Sequence, residues 1–392
     1  MSVKKEFKAL SVAVVHGPNA AGKTNIIGAM QTLKTLLLRG NILNTPNNSL
    51  NFADCSLELM PNNKLKEKRP VYFLIKFIFK NILISYSLKL DLGLFLEKDY
   101  ERKIIQETLS VNNRIVFIRE ENEIKELNTG SISKQANPTV KRNKKASRTI
   151  AEGSLKRTEL FLTNGFKNII SSQIVDLIVE YFTTNFQTFY HTERMSTVPL
   201  FKEKSMVDNM LNNVVQEFGV NSNKLIYLKL KDGQEPVLCS SIDDKTAIPS
   251  EILESYGTLR FISLYPIIAE ALKSGGTIVL DEFDASIHPM AIINIISIFH
   301  NDDINIHNAQ LIFNTHNPLY LNGNILRRDE IKFVERDDNT KCSKHYSLSD
   351  FGTKGSNARK GKDYMNNYFV NEYGAIRDID FTDIFKTIVR NK

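Results

Sequence analysis

Cysteine is scarce in this chain of 392 residues: Cys55, Cys239 and Cys342 stand far apart, with no C-x-x-C pair. That usage excludes a disulfide framework and a thiolate zinc site, and it fits free thiols of a reducing compartment. Long apolar runs are also missing. The best candidates, Leu74–Phe79 and Ile292–Phe299, are broken by Lys76 and Asn294 and fall far short of the roughly 20 residues that span a bilayer. No extended apolar stretch of the secretory kind follows Met1-Ser2-Val3-Lys4-Lys5. The expectation is a cytoplasmic protein with no membrane partner. Sustained heptads are absent, which argues against a long coiled-coil arm.

Charge of one sign is only mildly deficient. Lys and Arg total 51 against 44 Asp and Glu, for a net charge of +7. Such a balance is compatible with a nucleic-acid partner and equally with a Lys- and Asn-rich surface. The most basic stretch, Lys141-Arg142-Asn143-Lys144-Lys145-Ala146-Ser147-Arg148, has no interleaved aromatics to stack bases. It reads as a solvated or disordered loop in preference to a phosphate-backbone contact.

What is present begins early. The apolar run Val12 to Val15 leads into His16-Gly17-Pro18-Asn19-Ala20-Ala21-Gly22-Lys23-Thr24-Asn25, and apolar residues then recur at Ile26, Met30, Leu33 and Leu37. Strand, Gly-rich turn and helix is the context that makes G-x-x-x-x-G-K-T a phosphate-binding P-loop. Gly17 and Gly22 let the backbone N–H groups turn inward toward phosphate oxygens, at the positive end of the following helix. Lys23 can reach the β- and γ-phosphates, and the Thr24 hydroxyl can ligate Mg²⁺.

Further on, dense β-branched and aromatic residues over 71–90, then Ile104 to Ile118, predict an antiparallel β-subdomain. Residues 160–218 carry helical spacing at Ile169, Ile170, Ile174, Leu177, Ile178 and Tyr181, and 225–240 return to strand alternation. The predicted organisation is a P-loop head from 1–40 and 240–392, a β-subdomain at 41–127, and a flexible basic loop plus helical insertion at 128–239. At the far end, Thr277-Ile278-Val279-Leu280 is a buried-strand pattern finishing in Asp281-Glu282. This is a Walker B element: Asp281 to hold Mg²⁺, Glu282 to orient or deprotonate the attacking water. A second short strand, Gln310 to Asn314, ends at Thr315-His316. A strand-end His lies where ligands sit in an open α/β sheet, so His316 is placed against the γ-phosphate or the attacking water. His288, before Pro289, is as well explained by helix capping.

The order of these motifs, with Ser255-Tyr256-Gly257-Thr258 between them, resembles the ABC-type ATPase head. More narrowly the chain is similar to the AAA-type ATPases of bacterial abortive-infection and restriction-linked operons, related to the ATPase half of OLD nucleases. Leu326 to Glu335, Tyr346 to Phe351 and Tyr373-Gly374-Ala375-Ile376 fit the same family. The likeness is specific over 11–30 and 251–379. It implies an α/β, P-loop ABC-type head that binds ATP and Mg²⁺, with nucleotide on Gly17, Pro18, Asn19, Ala20, Ala21, Gly22, Lys23, Thr24 and Asn25. It also implies metal on Thr24 and Asp281, and catalysis by Lys23, Glu282 and His316. Ser255, Gly257 and Thr258 would meet the γ-phosphate held by another protomer, in a homodimer or higher oligomer with composite sites. About 75 residues follow His316, too few for a Toprim-type nuclease domain, so a separate effector is expected. A DNA-associated clamp ATPase and a shortened, non-catalytic interaction protein stay open beside that reading. A GTPase does not, since Asn223-Lys224-Leu225-Ile226 lacks the Asp of N-K-x-D.

Overall fold

The computed structural model describes residues 8–44, 59, 61–62, 66–95, 97, 100–189, 209–217, 224–228, 237–243, 245–352 and 361–390. At its centre is a six-stranded sheet. In spatial order its strands are Ser343–Ser347, Ile331–Arg336, Val12–His16, Gln310–Asn314, Thr277–Leu280 and Phe186–Phe189. Every pairing is parallel except that of Ser343–Ser347 with Ile331–Arg336. Strands of this kind are covered on both faces and so read as continuous apolar runs, as Thr277–Leu280 does with all four residues buried. The P-loop strand Val12–His16 and the Walker B strand Thr277–Leu280 are not neighbours; Gln310–Asn314 lies between them. This is a P-loop NTPase-like α/β fold, as the motif order predicts.

One face of the sheet packs Val12 and Val14 against Phe261 and Leu264 of helix Tyr256–Ser274 and Ile292 and Ile296 of helix Pro289–His300. On the other face Val279 meets the core that holds Ile27, Leu33 and Leu36 of the P-loop helix Lys23–Arg39. That core continues without a break into Phe77, Tyr86 and Phe117 of an antiparallel five-stranded sheet, the predicted β-subdomain. Its strands are Val71–Phe79, Ile82–Asp91, Lys103–Val111, Arg114–Glu120 and Glu123–Leu127. A buried carboxylate ties it to the helical insertion: Glu107 accepts from Tyr86 Oη (3.0 Å), Phe161 N (2.7 Å) and Leu162 N (2.8 Å), beside Arg119. Burial is the largest influence on Glu107 and raises its pKa, against the opposing pull of Arg119.

Two expectations for 128–239 are corrected. The basic run is not a loop: Pro138–Arg142 and Lys144–Gly153 are helices. The Asn143 side chain caps the second by accepting from Ala146 N (3.0 Å), and Ser147 and Ala151 turn inward. Several cations near it are paired, Arg148 with Glu152, Lys156 with Glu159 and Arg157 with Glu101. The insertion also reaches the head, because Phe186–Phe189 pairs with the Walker B strand. The helical stretch before it is widened in places, with i→i+5 bonds from Phe166 N to Phe161 O (2.8 Å) and from Ser171 N to Phe166 O (2.9 Å). Of the cysteines, Cys239 is a buried free thiol and Cys342 a half-buried one; Cys55 lies outside the described residues, as does most of 45–65. No helix among the described residues is long and apolar enough to cross a membrane.

Candidate active site

The P-loop takes its shape from close backbone contacts. A Cβ at Gly17 would lie 2.4 Å from Val334 O, so only glycine lets the loop leave its strand here. Gly22 sits at φ 107°, and a Cβ there would lie 2.7 Å from Ser343 Oγ. The same hydroxyl donates to Ala21 O (2.6 Å), and Arg336 Nη1 donates to Ala20 O (3.1 Å). The hairpin of Ile331–Arg336 and Ser343–Ser347 thus braces the loop from behind. Helix Lys23–Arg39 starts at Gly22 with no side chain capping its first N–H groups. Uncapped donors at a helix N-terminus, with Asn19, Ala20 and Asn25 exposed around them, form a ready anion site.

Lys23 is 5% exposed, and its ammonium donates to Gly17 O (2.7 Å) and Pro18 O (3.1 Å). Burial lowers its pKa to about 8, offset in part by the carboxylates of Glu282 and Asp281. Its Nζ is also 3.4 Å from His316 Nδ1. An ammonium can only donate, so this pairing favours the tautomer with Nδ1 bare and the proton on Nε2. His316 therefore has a donor free for a phosphate oxygen or a water. Partial burial, then Lys23, lowers the His316 pKa and keeps the ring neutral. His16, at the end of the P-loop strand, shares this cluster: burial, Lys23 and His316 together depress its pKa to about 3.

The Walker B strand brings its acids to the same cluster from its C-terminal end. Thr24 Oγ1 donates to Asp281 Oδ1 over 3.1 Å, joining residues 257 apart in sequence. Asp281 is buried and Glu282 beside it is exposed. Asn314, fully buried on the strand between, makes two short bonds: its Nδ2 donates to Asp281 Oδ1 (2.5 Å) and its Oδ1 accepts from Glu282 N (2.6 Å). Glu282 has φ 48°, a conformation that costs a non-glycine residue about 1–3 kcal/mol and persists only where its surroundings enforce it. Thr315 Oγ1 donates to Asp284 Oδ2 (2.7 Å), and burial raises the Asp284 pKa.

Among the described residues no three His, Cys, Asp or Glu side chains form a protein-only metal cage. The donor set at hand, one hydroxyl and one carboxylate beside a phosphate cradle, suits Mg²⁺, which keeps waters and takes most of its ligands from substrate. The fit to a magnesium nucleotide rests on that pair and on the uncapped helix start.

Ser255, Gly257 and Thr258 lie at the head of helix Tyr256–Ser274. Ser255 is its exposed N-cap, accepting from Thr258 N (3.1 Å), while Thr258 is buried with its hydroxyl 2.9 Å from Ser255 Oγ. Gly257 abuts the loop after Walker B: a Cβ there would lie 2.2 Å from Ser286 O. His288 caps helix Pro289–His300, its Nδ1 accepting from Met290 N (3.2 Å). Lys23, Thr24, Asp281, Glu282 and His316 converge at the C-terminal ends of the central strands, and Ser255 stands at the surface as the N-cap of a separate helix.

Residues 212–322 match the family model described as "AAA domain, putative AbiEii toxin, Type IV TA system". The matched segment holds the Ser255 helix, the Walker B strand and His316. No curated protein sequence matches the chain. Among solved structures, the chain is similar to an SMC head bound to the C-winged helix domain of ScpA, at 14% identity over 87% of this chain and 91% of that one, TM-score 0.38. It is likewise similar to the SMC head domain from Thermotoga maritima, at 12% identity over 85% and 89%, TM-score 0.38. At those scores the likeness carries no weight for function. The family match and the P-loop fold support an ATPase.

Sequence reading missed Asn314, Arg260, Ser343 and Arg336. Ser343 and Arg336 act on backbone carbonyls of the P-loop, and no motif spacing announces such contacts.

Proposed function

We propose that this chain binds and hydrolyses ATP as the regulatory ATPase of a bacterial phage-defence, abortive-infection system, working with a separate effector such as a Toprim-type nuclease. The observation that supports the ATPase reading is the 3.1 Å bond between Thr24 and Asp281, which brings the P-loop hydroxyl and the Walker B carboxylate together. The toxin–antitoxin description of the matched family supports the defence setting.

In this reading the backbone N–H groups of Asn19 to Thr24 bind the phosphates, and Lys23 exchanges its two carbonyl partners for β- and γ-phosphate oxygens. A magnesium ion held by Thr24 and Asp281 would neutralise phosphate charge. Glu282, exposed at the strand end, takes the proton of the attacking water, and His316 Nε2–H donates to that water or the γ-phosphate. Ser255, exposed and flanked by Ile252 and Tyr256 at 76% and 58% exposure, offers the surface on which another protomer's nucleotide would close. Against the clamp alternative, the longest helix among the described residues has 19 residues, too short for an arm.

Lys23→Ala is expected to abolish ATP binding, since it removes the cation facing a multiply charged ligand. With the product of the adjacent gene co-expressed, protection against phage should vanish in the same variant. Wild-type-like ATP affinity in Lys23→Ala refutes the ATPase reading; protection that survives the loss of binding refutes the regulatory one.

A further inference from the structure

The loop after Walker B is held at both ends by one helix. Glu282 at φ 48° opens it and Ser286 at φ 65° closes it. At the closing end, Gly257 lies so near Ser286 O that a single added carbon would collide at 2.2 Å. At the opening end, the guanidinium of Arg260, itself 9% exposed, donates through Nη2 to Glu282 O. Gly257 and Arg260 are three residues apart, on one face of helix Tyr256–Ser274, whose N-cap is Ser255.

The Glu282 peptide is therefore gripped from two sides. Asn314 Oδ1 takes its N–H at 2.6 Å, from the sheet. Arg260 donates to its carbonyl, from the helix, alongside Ala285 N at 3.1 Å. A left-handed non-glycine residue keeps its conformation only under such constraint, and that conformation fixes where the Glu282 carboxylate points. The two grips differ in kind. Asn314 ends the strand beside the one that leads into Asp281, whereas Arg260 belongs to a helix whose N-cap Ser255 and first residue Tyr256 are exposed.

We propose that Arg260 is a positioning residue that sets the orientation of Glu282 from helix Tyr256–Ser274, so that hydrolysis depends on the contact between that helix and the Glu282 carbonyl. The inference rests on the ATPase reading above.

The test measures ATP turnover and ATP affinity in wild type, Arg260→Met, Arg260→Lys, Glu282→Gln and the double variant Arg260→Met/Glu282→Gln. Arg260→Met should lower kcat about 10- to 100-fold with KM and nucleotide affinity within about twofold of wild type. The double variant should be no slower than Glu282→Gln alone, because Arg260 acts only through that carboxylate. Arg260→Lys keeps the charge and stem but not the fork, so it should retain about a tenth of the rate. Where Arg260→Met does not fold, Arg260→Lys alone and paired with Glu282→Gln makes the same comparison. Full kcat in either single variant, equal losses in kcat and affinity, or losses that multiply in the double variant overturn the coupling. A wild-type chain that binds no ATP fails the ATPase reading instead, whatever Arg260 does.

Discussion

His16 shows most clearly how a single side chain can be placed by the fold at a cost. Its Nε2 is buried without a hydrogen-bond partner among the described residues, and its pKa is depressed from 6.5 to about 3 by burial and by the neighbouring Lys23 and His316. A buried ring that must stay neutral is harmless above the unfolded-state value of 6.5 and a liability below it. As pH falls from 6.5 toward 3 the unfolded chain takes up a proton that the folded chain refuses, so stability is lost across that window. The loss from this residue is about 2 kcal/mol at pH 5. His16→Phe should flatten that part of the profile: relative to its own value at pH 7.5, its melting temperature should fall less at pH 5 than the wild type's does. Equal acid sensitivity in both proteins would mean that His16 titrates normally. The acids and the P-loop lysine were legible in the sequence because strand–turn–helix spacing fixes them. Arg260 was not, because what it recognises is a carbonyl exposed by the left-handed turn at Glu282, and no residue type encodes that.

Elements were legible where local pattern and tertiary role agree. The strands of 71–120 pair with their neighbours in sequence where strand pattern was read, and the structure adds Glu123–Leu127, which that pattern did not reach. Phe186–Phe189 did not announce itself, because Phe186 and Phe189 at i and i+3 suit a helix as well as a strand. It is a strand because Thr277–Leu280 offers an open edge. The run 144–153 is helical because Asn143 caps it and Ser147 and Ala151 give it an inner face, features that a count of its charges hides. The joint between β-subdomain and helical insertion depends on Glu107. Glu107→Ala would leave Arg119 buried without its carboxylate and strip acceptors from Tyr86, Phe161 N and Leu162 N. A destabilisation of about 3–5 kcal/mol is expected, read by chemical denaturation. A variant within 1 kcal/mol of wild type would show that the pair is not the tie described here.

At the scale of the whole molecule, one chain brings the P-loop, Thr24 with Asp281, Glu282 and His316 together at the C-terminal ends of its central strands, and presents Ser255 at its surface. If that surface completes a second protomer's site, Ser255→Arg should bind ATP normally and hydrolyse it poorly. Mixing it with Lys23→Ala protomers should restore about a few-fold of activity, since one site of each mixed dimer joins an intact P-loop to an intact Ser255. No gain from mixing, with mixed dimers shown to form, would remove the composite arrangement. Beneath this lies the claim that Glu282 is the base of an ATP site built from the P-loop and Walker B strands. Glu282→Gln tests it most directly, with magnesium-dependent ATP binding and single-turnover hydrolysis measured on the same preparation. Binding should match wild type while hydrolysis falls about a hundredfold or more. Undiminished hydrolysis in that variant, or its loss together with binding, would contradict the account.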